Sequence, residues 1–445
     1  MVKTRIVVSA MLVLVSSGIC LADVGTTPTK ENAELKARVE KLEKELAELK
    51  QMVKQQEEQE TATGPNKPTV EPTKKTEEKK PVVAGLDVEL YGRLKLDAAY
   101  DTSRIDTGNY AKWVQSEASN KNDNQFNMTA NESRLGMWIY GPKDEEVKTS
   151  GRVEIDFYGG GAENKSNPMM RHAYLNLDWP QDKFSILAGQ TSDVISPLFP
   201  DTLNYSVGWW AGNIGYRRPQ IRLTKSYAID KNVDLKLEGA IARTIGLSSG
   251  SFTPGDAGED AGIPSFQGRT SVTFPWFGHK PTTLGLSGHW AKEEYDTDAS
   301  GTSDKFDSWS LNLDLTQPIN EWLTIKGETF SGRNLSAYLG GIGQGVNTAR
   351  SKEIASKGGW MAANLGPWGK WSFNVGAGID DPENDDLEGI SGDKRELNRS
   401  IFGNVIYNVD KNAQIGFELS QWHTEYQGEG SADSLRAQTS FIYKF

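Results

Sequence analysis

Arginine and lysine recur at alternate positions of segments whose remaining positions are apolar. Arg93, Arg134, Arg152, Arg218, Arg222, Lys236, Arg269, Lys326 and Arg436 all follow this rule, as does Lys95. Along an extended strand successive side chains point to opposite faces, so each of these cations faces away from its greasy neighbours. Cations converging on a confined aqueous interior attract and partly desolvate anions, and they raise a barrier to cations. Acids share the same parity, among them Asp97, Glu154, Asp156, Asp178, Asp234, Glu238, Asp314, Glu328 and Glu418, so the count is nearly balanced. Position along the strand then decides. Most of the cations fall four to seven residues from a tight turn, about 10–18 Å up a tilted strand, while several of the acids fall nearer the ends. The sequence therefore predicts a basic belt at mid-depth. A second reading stands beside it: Arg152 pairs with Glu154 and Lys236 with Glu238 across strands, and the charges merely hold the wall.

Other chemistry finds little support. His172, His279, His289 and His423 lie in separate segments without metal-ligand spacing. No G-x-S-x-G elbow is present. Gly341-Ile342-Gly343-Gln344-Gly345 lacks the lysine and following helix of a phosphate cradle, and it reads as flexible loop. No enzyme activity, metal or cofactor is expected. The net charge of −11 over 445 residues argues against nucleic acid as a partner.

The elements that position these residues fill 86–445. Sixteen alternating segments are predicted at 88–101, 125–140, 147–158, 168–179, 183–191, 213–227, 232–246, 265–275, 282–293, 304–317, 321–333, 353–364, 370–380, 395–407, 413–424 and 434–445. Tight turns and long polar loops alternate between them, seven short and eight long. An even number of strands with short turns at one end and long loops at the other is the pattern of an outer-membrane β-barrel. The mean hydropathy of −0.55 excludes a bundle of spanning helices but not a barrel, whose strands are only half apolar. The last segment sets the faces, with Leu435, Ala437, Thr439, Phe441, Tyr443 and Phe445 outward. Trp179, Tyr227, Trp276, Trp371 and Tyr407 share that parity beside short turns, as an interfacial aromatic girdle would. Sixteen strands close too wide a cylinder for side chains to fill, which leaves an aqueous channel.

One long connection is more apolar than an exposed loop should be. Asp193, Pro197, Phe199 and Asp201 mark it as a constriction loop that folds inward, opposing its two carboxylates to the basic wall. Trp209 and Trp210, further along, suit either this role or a rim anchor.

The N-terminal fifth differs. Lys3 and Arg5, an apolar run from Ile6 to Val15 and Cys20-Leu21-Ala22 make residues 1–22 a secretion signal. Cys20 would also suit lipidation, although bulky Ile19 counts against it. Within 23–60, Leu35, Val39, Leu42, Leu46, Leu49 and Val53 form a heptad seam, so a short α-helical coiled coil precedes the barrel. Arg38-Val39-Glu40-Lys41-Leu42-Glu43 matches a pattern of short trimeric coils. Residues 61–85 are rich in proline and lysine and read as an extended tether, whose lysines suit an anionic surface such as peptidoglycan or phospholipid.

Several words of the barrel resemble those of the DcaP-like porins: Ser133-Arg134-Leu135-Gly136, Lys148-Thr149-Ser150-Gly151 through Asp156-Phe157-Tyr158-Gly159-Gly160, Arg171-His172-Ala173-Tyr174, and Leu187-Ala188-Gly189-Gln190. The resemblance is close over 130–210 and follows the domain plan throughout. It implies a homotrimer of sixteen-stranded barrels with a periplasmic coiled coil, favouring small anionic solutes such as dicarboxylates. Matched positions include Arg134 and Arg171-His172; Arg171 falls on the outward parity, which demands a bulge or a register slip. Phosphate-selective porins are similar in plan. The expectation is a passive outer-membrane porin embedded in lipid in a Gram-negative bacterium, with a cell-wall tether as the alternative.

Overall fold

The structure, a computed structural model, describes residues 82–83 and 86–445 except 121–122, 144, 161–164, 247–255, 278–279 and 391. The signal segment, the coiled-coil seam and nearly all of the linker lie outside the described residues.

Sixteen strands form the wall: β1 (Leu86–Asp101), β2 (Gln125–Thr129, continuing as Arg134–Tyr140), β3 (Lys148–Asp156), β4 (Met169–Trp179), β5 (Phe184–Ser192), β6 (Arg217–Asp230), β7 (Val233–Ala242) and β8 (Ser265–Phe274) make the first half. The second half is β9 (Thr282–Asp296), β10 (Ser303–Pro318), β11 (Leu323–Arg333), β12 (Ala355–Trp368), β13 (Trp371–Pro382), β14 (Arg395–Asn408), β15 (Ala413–Tyr426) and β16 (Gly430–Lys444). Each strand pairs antiparallel with the next, and β16 returns to β1 in a register running from Arg93 opposite Lys444 to Asp101 opposite Arg436. Closure leaves no strand edge unpaired, which a hydrocarbon surrounding requires of a sheet.

Alternation places the greasy residues outside. Leu90, Met361, Leu313 and Phe441 are exposed, while the intervening Lys95, Asp97, Asp314 and Ser440 are buried. A soluble protein would bury the first set; here that set forms a continuous apolar belt. Among the described residues no helix is long and apolar enough to cross a membrane.

Two irregularities depart from simple alternation. Between Arg134 and Thr129, β2 carries one residue more than the facing stretch of β1, and the resulting break turns Glu132 inward and buries it. On β4 the register against β3 shifts between Glu154 and Ile155, so Arg171 and His172 both point inward while Met170 stays exposed outside. The bulge supplies what the alternation lacked at Arg171. The connection between β15 and β16, expected to be long, is a tight turn at Gln427–Glu429, because both strands run on past their expected ends and Gly428 and Gly430 accept positive φ there.

The candidate channel site

Loop 3 (residues 193–216, between β5 and β6) lies inside the barrel and is held by the inward side chains of strands around most of its circumference. Asp193 accepts from Gln267 of β8 at 2.7 Å and pairs with Arg218 of β6 at 2.7 Å. Glu328 of β11 accepts the Leu198 amide at 2.8 Å, and Asn404 of β14 donates to the Asp201 carbonyl at 2.8 Å. Glu418 of β15 accepts from Thr202 and from the Leu203 amide, both at 2.7 Å. Lys95 of β1 donates to the Leu203 carbonyl at 2.7 Å, and Tyr205 donates to Asp156 of β3 at 3.2 Å. Loop backbone without a regular ladder must find such partners when it is buried. The wall's polar side chains therefore decide where the loop runs.

Alternation continues along the loop tip. Leu198 packs against Trp360 and Phe402 on the wall, whereas Pro197, Phe199 and Asp201 are exposed to the open lumen. Asp201 reaches Lys326 of β11 at 2.8 Å. Trp209 and Trp210 do not anchor a rim: they sit in an aromatic cluster with Tyr205, Tyr110, Trp113 and Tyr216.

Two more long loops lie over loop 3. In loop 1 (102–124) a small hairpin, Ile105–Thr107 with Ala111–Val114, packs its buried residues against Ala211, Trp422, Tyr426 and Ala432. Asn204 of loop 3 bonds both the amide and the carbonyl of Ala111. Loop 6 (334–354) includes the glycine-rich stretch expected to be flexible. It is instead buried, with Asp380 accepting the Ile342 amide at 3.2 Å and Arg395 donating to the Ile342 carbonyl at 2.9 Å. Its Tyr338 stacks on His289 and carries the Arg218 guanidinium 3.9 Å above its ring.

All nine sequence-predicted cations have acidic partners. Arg93 and Lys95 close on Glu132, with Arg134 at 3.8 Å from it. Arg152 meets Glu154 at 2.8 Å, Lys236 meets Glu238 at 2.9 Å and Arg222 stands 4.0 Å from the same carboxylate. Arg269 forks onto Asp314 at 2.7 and 2.9 Å, and Gly285 leaves room for it, since a Cβ there would lie 2.2 Å from Asp314 Oδ2. Arg436 pairs with Asp101 at 2.9 Å. The pairs read from the sequence, Arg152 with Glu154 and Lys236 with Glu238, are thus part of a network that includes all nine cations. Three of its members do not face open lumen at all: Arg218 and Arg436 are sealed under loops 3 and 1, and Arg269 is buried against Asp314.

What remains open to the lumen is one side of the wall. Inward residues of β2–β7 stay half-exposed, including Arg134, Arg152, Tyr174, Asn176, Thr224, Arg222 and Lys236, whereas those of β8, β9 and β10 are mostly buried. Arg93 and Arg134 face each other directly across β1 and β2. Arg152 stacks on Tyr91 and Trp138 with its guanidinium 5.3 and 4.9 Å from the ring centres. Arg171, which the alternation rule put outside, bonds Glu154 at 2.6 Å and Asp156 at 2.7 Å. Glu132 and Tyr91 escaped the sequence reading; the four-residue break before Arg134 was the available signal for Glu132.

A closed sixteen-stranded barrel, greasy outside and polar within, with a long loop folded into its bore, defines an outer-membrane channel of the porin type. The model of the DcaP outer membrane protein family matches residues 19–255, and the chain belongs to that family. No curated protein matches. Of solved structures, the outer membrane channel DcaP of Acinetobacter baumannii is similar with a TM-score of 0.67 and 17% identity, covering 82% of this chain and 99% of that one. The anion-selective porin from Comamonas acidovorans follows at 0.52 and 12%, covering 81% and 100%.

Proposed function

We propose that this porin-like channel passes small hydrophilic anions, dicarboxylates among them, by passive diffusion between loop 3 and the half-exposed wall of β2–β7. The carrying observation is the charge of that wall. Around its mid-depth, together with the neighbouring β1, Arg93, Lys95, Arg134, Arg152, Arg171, Arg222 and Lys236 share Asp97, Glu132, Glu154, Asp156 and Glu238, so cations outnumber the carboxylates they pair with. Paired charges still leave a positive residue of potential, and low-dielectric walls focus it into the passage. An anion bearing two carboxylates can address two sites of such a wall, and arginine offers forked donors to each. Loop 3, with Pro197, Phe199 and Asp201 facing the lumen, acts as the constriction that brings solutes to the wall. The anion-selective porin of Comamonas acidovorans, similar in fold, is in keeping with this reading.

The test is the reversal potential of the reconstituted protein across a salt gradient. Arg134→Ala and Arg222→Ala each remove one charge from the passage. At about 8 Å in water a unit charge contributes roughly 0.5 kcal/mol, so each substitution should lower the anion-to-cation permeability ratio about twofold. Cation preference in the parent, left unchanged by both substitutions, overturns the proposal. The heptad seam at Leu35, Val39, Leu42, Leu46, Leu49 and Val53 supports a homotrimer joined in the periplasm, with the lysine-rich tether reaching towards the cell wall.

A further inference from the structure

The outer surface of the barrel carries a second pattern that conduction does not use. Where the long-loop ends of the strands leave the apolar belt, one part of the circumference is charged and the other is not. Arg243, Lys292, Arg333, Lys357 and Arg399 all follow the outward parity of β7, β9, β11, β12 and β14. Each lies about ten residues from the short-turn end of its strand (Val233, Thr282, Leu323, Trp368 and Asn408), so together they form a level ring. At about 3.3 Å per residue and a tilt near 40°, that ring stands roughly 25 Å up, at the upper border of the apolar band. On the other side of the barrel, Met128, Met170 and Ile221 reach a similar height on β2, β4 and β6, and they are exposed and uncharged.

The ring encloses a groove between β10 and β13, lined by Trp309, Ser331, Arg333, Lys357, Asp381 and Glu383. Arg399 follows on the next strand, directly across from Ile379, and has no ion pair among the described residues. Arg333 commits its Nη1 to Asp386 at 3.5 Å and the Glu353 carbonyl at 3.1 Å, leaving its other guanidinium nitrogens to a ligand. Lys357 keeps two-thirds of its side chain exposed and touches Asp381 at only 3.3 Å. Such surface pairs contribute about 0–1 kcal/mol, so an incoming phosphate can replace the carboxylate. Below the groove, Met361, Ile379 and Ile401 present bare apolar surface for acyl chains.

From this juxtaposition we infer that the β9–β14 face binds a glycolipid of the outer leaflet whose sugar headgroup bears phosphates. Its acyl chains lie on the apolar belt, its phosphates meet Arg333, Lys357 and Arg399, and its sugar hydroxyls donate to Asp381 and Glu383. The uncharged β2–β6 face offers no such set. A glycerolipid with one phosphate offers a single charged group to cations on three strands.

The experiment reconstitutes the full chain in nanodiscs of phosphatidylcholine containing about 5 mol% bisphosphorylated lipid A, and in parallel discs containing phosphatidylglycerol. Lipid retained after detergent extraction is counted by native mass spectrometry. Lipid A should be retained at least fivefold better than phosphatidylglycerol. Arg333→Gln/Lys357→Gln/Arg399→Gln should abolish that difference while leaving single-channel conductance unchanged. If the triple variant does not fold, the exposed Lys357→Glu alone decides, with at least a twofold loss expected. Equal retention of both lipids, or retention unaffected by either variant, overturns the inference. So does efficient cross-linking between copies through Lys357→Cys, because the face would then be covered by a second copy of this chain.

Discussion

At the scale of single residues, one buried ion pair ties the start of loop 3 to the wall. Arg218 and Asp193 are both buried, and Asp193 also accepts from Gln267 and from the Tyr216 amide at 2.8 Å. Removing one member of a buried pair leaves an uncompensated charge and costs about 3–5 kcal/mol. Asp193→Ala is therefore expected to free the start of loop 3. Single-channel records should then show frequent sub-level flicker, and the thermal unfolding midpoint should fall; steady current at the parent level would argue that the loop is held elsewhere. The periodicity of inward cations was legible in the sequence because it follows from alternation alone. Two of their partners were legible as well, Glu154 for Arg152 and Glu238 for Lys236, but the rest were not. Glu132 comes inward at a strand break, Asp193 and Asp201 come from a loop, and the paired network depends on contacts distant in sequence, such as Arg269 with Asp314. Arg171 shows the limit of the same rule, since one bulge reverses the parity of every residue beyond it.

At the scale of elements, loops 1, 3 and 6 act as one interlocked body inside the wall. Tyr338 is central: its hydroxyl lies 2.7 Å from Ser265, its ring stacks on His289, and Arg218 covers its other side. Burial pushes the Tyr338 phenol up to about 12, with Arg218 partly offsetting that rise. A phenol raised above its unfolded value near 10 contributes stability that is complete below pH 10 and lost as pH climbs through 12. The share of the clamp that Tyr338 supplies should thus loosen between about pH 10 and 12. Conductance noise and tyrosinate absorbance, followed together, check this; no added loosening as the tyrosinate forms would assign the clamp to another group. All sixteen strands were readable, with ends within about four residues, because alternation and turn chemistry are local. The fate of the loops was not: Gly341 to Gly345 looks like free chain, yet its backbone bonds Asp380 and Arg395, and nothing in its own composition says so.

At the scale of the whole molecule, the barrel closes upon itself and needs no partner to satisfy its backbone. We propose that the N-terminal heptad serves trimerisation and not conduction. Deleting residues 23–85 is expected to leave the conductance of each barrel unchanged while abolishing cross-linked trimers and weakening envelope integrity. Loss of conductance with the deletion would instead make the coiled coil part of the pore. The plan of short turns against long loops was visible in the sequence, since seven tight connections punctuate it regularly. The long-loop turn at Gln427–Glu429 escaped that scheme because a strand extension and a loop have similar polar composition.

The central claim is that a water-filled passage runs beside the exposed tip of loop 3, and a thiol placed there tests it most directly. In a Cys20→Ser background, Phe199→Cys puts a thiol at the open tip, and Leu198→Cys puts one against the wall. A negatively charged methanethiosulfonate reagent added during single-channel recording should reduce the Phe199→Cys current in discrete steps and leave the Leu198→Cys current alone. Current through Phe199→Cys that is indifferent to the reagent, or a folded barrel that carries no current, would contradict the account.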